Sequence, residues 1–108
     1  MKTFNYHLAK DVKEAKKLAS PNSTFLAGGM TTIPSMKLGL GTYKDIIDIK
    51  GIKKLSSIKV SGKILKIGAT TKHAEVANSK EVKKSIPSLA ALAEGIGDPQ
   101  VRNRGTIG

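Results

Sequence analysis

The first half of the chain alternates short apolar runs with helical stretches, and this alternation restricts the fold more than any other feature. Phe4-Asn5-Tyr6-His7 reads as a strand. Asp11 and Glu14 then stand at capping-box spacing. Val12, Ala15, Leu18 and Ala19 repeat with helical period until Ser20-Pro21-Asn22 stops the helix. Lys16 and Lys17 suit the negative end of its dipole. Thr24 to Ala27 reads as a second strand. Thr31 or Thr32 can cap a second helix, with Pro34 in its first turn and Ile33, Met36 and Leu40 facing inward; Gly39 and Gly41 end it. Asp45 to Ile49 reads as a third strand. Helical connections join strands in parallel through right-handed crossovers. Residues 1–55 are therefore expected to form a small three-stranded parallel βαβαβ lobe.

Residues 56–108 change character. Ile58-Lys59-Val60 and Ile64-Leu65-Lys66-Ile67 flank Ser61-Gly62-Lys63, the pattern of a β-hairpin. Asn78 and Glu81 have capping spacing, and Pro87 suits a first helical turn. Leu89, Leu92, Ala93 and Ile96 form one apolar face, ended by Gly95 and Gly97. The tail from Asp98 to Gly108 is polar and turn-rich. A hairpin and a few short helices make a poor core, so this part reads as the beginning of a second, α+β lobe.

Composition removes several kinds of chemistry. The 108 residues include no cysteine, which excludes a disulfide scaffold, a thiolate metal site, a Cys nucleophile and an iron–sulfur cluster held by this chain. The opening MKTFNYHLAKD has no apolar signal core, and no apolar run approaches the roughly 18 residues of a membrane span. A cytoplasmic protein is expected. The net charge is +11, yet the lysines are scattered, with no Arg cluster and no interleaved aromatics. A solvated surface accounts for them better than a nucleic-acid footprint does, and an acidic partner subunit would account for them too.

The stretch FLAGGMTTIP, Phe25 to Pro34, places two glycines between a strand and a helix. Glycines admit positive φ and let a ligand approach the backbone. Charge-assisted hydrogen bonds are worth roughly 1.5–3 kcal/mol each, so a few amides can hold a pyrophosphate. A plain βα turn is the other reading of the same residues. Arg104-Gly105-Thr106-Ile107-Gly108 forms a second glycine-bearing turn, with Arg102 and Arg104 reading as surface charge. Gly39-Leu40-Gly41 lacks a third glycine and a preceding strand. His7 and His73 show no ligand pattern, Asp45 and Asp48 no working carboxylate pair, and no serine-nucleophile motif is present. Any redox chemistry must come from a cofactor.

These residues resemble a known family. FLAGGMTTIPSMKLGL resembles the first FAD loop of the FAD-binding medium subunits of molybdenum hydroxylases, which include carbon monoxide dehydrogenase and the xanthine and aldehyde dehydrogenases. IGATTKHAEV is similar to the segment that opens their second lobe. IGDPQVRNRGTIG is similar to the stretch that leads to their second FAD loop. The three motifs follow the family's order and cover nearly the whole chain.

The resemblance implies a vanillyl-alcohol-oxidase-like (PCMH-type) FAD-binding domain, α/β then α+β, with FAD between two lobes. Leu26, Ala27, Gly28, Gly29, Met30, Thr31 and Thr32 would hold the FAD pyrophosphate through backbone amides. Thr106, Ile107 and Gly108 would begin the second loop, and Ile96 would pack near the flavin. No catalytic residue and no metal ligand is implied. The implied partners are a large molybdopterin subunit and a small subunit with [2Fe–2S] clusters, whose electrons pass through FAD to a final acceptor. The resemblance also implies an N-terminal fragment of a longer subunit, inactive and with weak or no FAD binding by itself. A basic nucleic-acid-binding module and a docking module without flavin are the alternatives.

Overall fold

The computed structural model describes all 108 residues, which divide into two compact units, Met1–Ile52 and Lys53–Gly108. The first unit runs β1 (Asn5–Leu8), α1 (Val12–Leu18), β2 (Ser23–Leu26), α2 (Thr32–Lys37) and β3 (Asp45–Asp48). The three strands form one parallel sheet in the order β1-β3-β2, as the alternation predicts. The last strand in sequence is therefore the central one. Its consecutive residues Ile46 and Ile47 point to opposite faces and are 1% and 0% exposed. A strand covered on both faces needs an apolar run and not an alternation. The two crossovers run in opposite directions across the sheet, and the right-handed rule for such connections assigns α1 and α2 to opposite faces.

Both helices are short and end where local chemistry dictates. The Asp11 carboxylate accepts the Glu14 N–H at 2.7 Å, which caps α1. Val12, Ala15 and Leu18 are at least half-buried, but Ala19, expected inward, is exposed. It is the C-cap, with extended backbone, so the helical period has already lapsed there. Thr31 occupies the N-cap position of α2 without a side-chain cap bond.

The C-terminus of α2 is a Schellman turn. Gly39 adopts φ +74°, its N–H donates to the Met36 carbonyl at 3.1 Å, and the Leu40 N–H donates to the Ser35 carbonyl at 2.8 Å. Leu40, expected to face inward, is instead 79% exposed. It lies beyond the left-handed glycine, where the helical period no longer aims side chains at the sheet. Met36 is buried as expected.

The second unit begins with a 3₁₀ turn, Lys53–Leu55, followed by the hairpin β4 (Ile58–Ser61) and β5 (Ile64–Ile67). Ser61 pairs with Ile64, leaving Gly62-Lys63 as a two-residue turn. Only Gly62 has positive φ, at +59°, as a type II′ turn requires. Helices α3 (His73–Asn78), α4 (Lys80–Ser85), α5 (Pro87–Glu94) and α6 (Pro99–Arg102) follow. The core consists of Val76, Ala77, Val82, Ala90 and Ala93, with Ile58, Leu65, Ile67 and Leu89 packed against it. Alanines at three of these positions let α3 and α5 approach closely.

The inward face of α5 is Leu89, Ala90 and Ala93; Leu92, expected there, is 67% exposed. The cap of α4 is Ser79 and not Asn78: the Ser79 hydroxyl accepts the Val82 N–H at 3.3 Å. The Asn78 side chain donates back to the Ala74 carbonyl at 2.9 Å, completing α3. The tail contains α6, begun by Asp98, whose carboxylate accepts the Val101 N–H at 2.8 Å, with Pro99 in the first turn.

Gly68 joins the hairpin to the segment before α3. Its N–H donates to the Ser57 carbonyl at 2.8 Å, and Thr70 N–H donates to the Leu55 carbonyl at 2.9 Å. A Cβ at Gly68 would overlap the Leu55 carbonyl. Gly68→Ala is expected to cost on the order of 3 kcal/mol, seen as a lower urea midpoint with an unchanged slope.

Candidate functional site

The Gly28–Gly29 loop leaves the C-terminal end of β2, beside the end of β3. Leu26 pairs with Asp48, and its carbonyl accepts the Ile49 N–H at 2.9 Å. Leu26, Ala27, Gly29 and Thr32 are half-buried, Gly28 is buried, and Met30 and Thr31 are exposed. Gly29 adopts φ +77°, and a Cβ there would lie 2.7 Å from Ile33 Cδ1. The Gly29 carbonyl accepts the Ile33 N–H at 3.1 Å, which ties the loop to the first turn of α2. The N–H groups of Gly29, Met30 and Thr31 donate to no backbone carbonyl. Residues 26–32 contain no carboxylate. Open amides, a flat glycine surface and the absence of negative charge suit an anionic group such as a pyrophosphate.

Next to this loop is a buried carboxylate that the sequence reading passed over. Asp48 is 2% exposed. It accepts the Tyr6 hydroxyl at 2.6 Å and the Lys50 N–H at 2.9 Å, and it pairs with Lys50 Nζ at 3.4 Å. Donation to Asp48, aided by desolvation and by the carboxylate's charge, raises the Tyr6 phenol above its ordinary pKa. The role of this cluster is to fix the chain as it leaves β3. Asp45, at the other end of β3, accepts from Asn5 Nδ2 at 3.1 Å and pairs with His7 Nε2 at 2.9 Å. The hydrogen bond with His7, then that from Asn5, holds the Asp45 carboxyl below its ordinary range.

In the second unit, Gly105 to Gly108 is stitched to the segment before α3. Gly105 carbonyl accepts the His73 N–H at 3.0 Å; Ile107 and Gly108 N–H groups donate to the Thr71 and Ala69 carbonyls, each at 2.9 Å. Lys72 and Thr106 form the bridge between these bonds. Such a pair turns its own N–H and C=O outward. Thr106 is thus the residue of this loop whose amide faces outward, while those of Ile107 and Gly108 hold the loop in place. Gly108 packs closely, since a Cβ there would lie 2.7 Å from that of Ala69.

Ile96 is half-buried in the turn after α5. Its carbonyl and that of Gly97 each accept Arg102 Nη1 at 3.0 Å. Arg102, read as surface charge, in fact clamps this turn; only the position of α6 reveals that. The hydroxyl of Thr70 is buried with no hydrogen-bond partner.

Over residues 2–108 the chain matches the family described as FAD binding domain in molybdopterin dehydrogenase. The chain belongs to this family. It is 42% identical over 108 residues to the carbon monoxide dehydrogenase medium chain of Hydrogenophaga pseudoflava, covering 97% of this chain and 38% of that protein. It is 36% identical over 107 residues to the glyceraldehyde dehydrogenase medium chain of Sulfolobus acidocaldarius, with the same coverages. Among solved structures, reconstituted carbon monoxide dehydrogenase from Oligotropha carboxidovorans matches with TM-score 0.95 and 33% identity, covering 99% of this chain and 38% of that one. The chain thus spans well under half the length of these FAD-domain relatives. No helix is long and apolar enough to cross a membrane.

Two outcomes are expected. The folded state keeps Asp45 ionised to lower pH than the unfolded chain does, so the unfolded chain binds more protons there. The stability from Asp45 is whole above the ordinary carboxylate range and is lost as pH falls through it. Urea midpoints measured against pH should show a shallower acid limb in Asp45→Asn. Thr70→Val replaces an unpaired buried hydroxyl with a methyl of the same shape, so thermal unfolding should shift upward, by about 1 kcal/mol.

Proposed function

We propose that this chain is the part of a molybdenum-hydroxylase medium subunit that binds the pyrophosphate of FAD, in a domain of the vanillyl-alcohol-oxidase-like (PCMH-type) fold. The observation that carries the reading is the loop after β2, where Gly29, Met30 and Thr31 keep their amides unspent and the positive φ at Gly29 strains any side chain placed there. The family match supports the identity of the ligand. Leu26, Ala27, Gly28 and Thr32 shape the loop, and Ile33 buttresses it. Thr106 contributes an outward amide, held by Ile107 and Gly108. Ile96, fixed by Arg102, offers an apolar surface to the flavin.

When bound, FAD exchanges single electrons with iron–sulfur clusters and pairs of electrons with a final acceptor. The chain itself supplies binding and orientation only. These 108 residues have no cysteine and no cluster of metal-ligating side chains, and in this reading clusters and molybdopterin are held by partner subunits, one small and one large. The relatives' names as medium chains of dehydrogenases support that assignment.

The test is Gly29→Val in the full-length subunit. It strains a positive φ and drives a side chain into Ile33. The purified variant should lose its visible flavin absorbance while its far-ultraviolet circular dichroism stays native. A yellow, fully loaded variant would refute the assignment of this loop.

A further inference from the structure

The end of the first unit remote from the Gly28–Gly29 loop carries a second surface. The strands are parallel, so residues that precede them gather at one end: Lys2 and Thr3 before β1, Asn22 before β2, Tyr43 and Lys44 before β3. The helix α2 runs from the glycine loop toward this end and delivers Lys37 and Leu38 there. A hollow of about 420 Å³ is lined by Lys2, Met36, Lys37, Leu38 and Tyr43 among others. An adjoining hollow shares Lys2, Thr42 and Tyr43 and adds Asn22 and Lys44. No carboxylate lines either one. Lys2, Lys37 and Lys44 take part in no salt bridge; the nearby Asp45 is hydrogen-bonded by His7 and Asn5 and feels Lys44 only through its charge.

The same end exposes large apolar side chains. Leu40 at 79% and Leu38 at 75% are the most exposed large hydrophobic residues, and Met1, which lines the same hollow as Leu38, is 61% exposed. The leucines are fixed in place, because both flank Gly39 in the hydrogen-bonded Schellman turn. In such a turn the residue in Leu40's place usually packs against one in the last helical turn. Here that neighbour is Ser35 or Pro34, and no such packing is made. Exposed apolar side chains beside cations that form no salt bridge suit a polypeptide interface, whose complement is apolar with acidic groups.

We propose that this end of the first unit docks an acidic segment of a partner polypeptide, with Leu38 and Leu40 receiving an apolar side chain and Lys2, Lys37 and Lys44 meeting carboxylates. The surface goes beyond the flavin reading and stands without it. Two exposed leucines favour a polypeptide over a nucleic acid, which would use the lysines and leave the leucines idle.

The test is fluorescence anisotropy of the purified full-length protein with a labelled peptide alternating Glu and Leu. Its Gln-for-Glu counterpart and a single-stranded oligonucleotide serve as competitors. The Glu peptide should bind and the Gln peptide should not compete. K37E/K44E should weaken binding about tenfold or more, and L38S/L40S about fivefold, in the range of interface anchors. K83E/K84E, the same charge change on α4, should leave it within about twofold. All substituted side chains are on exposed residues, and circular dichroism checks that each variant is folded. Absence of peptide binding, equal weakening by K83E/K84E, or insensitivity to the leucine changes would each overturn the proposal. In the last case, effective competition by the oligonucleotide would assign the lysines to nucleic acid.

Discussion

The central placement of β3 organises the first unit. Ile46 and Ile47 can both be buried only if a strand lies on each side and a helix on each face. Burial of an Ile side chain is worth about 1.5–3 kcal/mol, a large share of what so small a unit can accumulate. With parallel pairing fixed by this burial, direction follows. Every strand ends at the same edge, the loop after β2 emerges there, and α2 must carry the chain back to the opposite edge. The glycine loop and the lysine-ringed leucines are therefore separated by topology, whatever each one binds.

The sequence reveals much of this, for definable reasons. The parallel sheet follows from spacing alone, because helical connections leave parallel pairing as the natural outcome. The hairpin and Pro87 at the start of α5 follow from turn and helix-start chemistry. Misreadings cluster where a periodic pattern runs past its own stop. Ala19, Leu40 and Leu92 all fit a helical face on paper. Ala19 is a cap, Leu40 lies beyond one, and Leu92 is on the exposed side of α5, whose buried stripe is narrower than the apolar one. Asp98-Pro99 carried a usable signal, an N-cap residue before a proline, hidden in a polar tail.

The candidate loop was only partly legible. Two glycines after a strand mark a turn, but which of them is conformationally obligatory, and which amides stay open, depend on where Ile33 packs and which carbonyls are in reach. In the second unit the sequence points to Thr106, Ile107 and Gly108 alike. Pairing with Ala69 and Thr71 divides their roles, with one residue facing outward and two tied down. The roles of Asp48 and Arg102 could not be read locally because their partners, Tyr6 and the carbonyls of Ile96 and Gly97, are supplied by folding and not by a local pattern.

Gly29 is held to glycine by two independent demands: the Ile33 side chain fills the space a Cβ would need, and the backbone sits at φ +77°. Trimming Ile33 would free the space and leave the dihedral as it is. Divergence at this position is therefore costly in either order: a side chain acquired here meets Ile33 and also carries the strain of a positive φ. The loop's shape should outlast most of the residues around it.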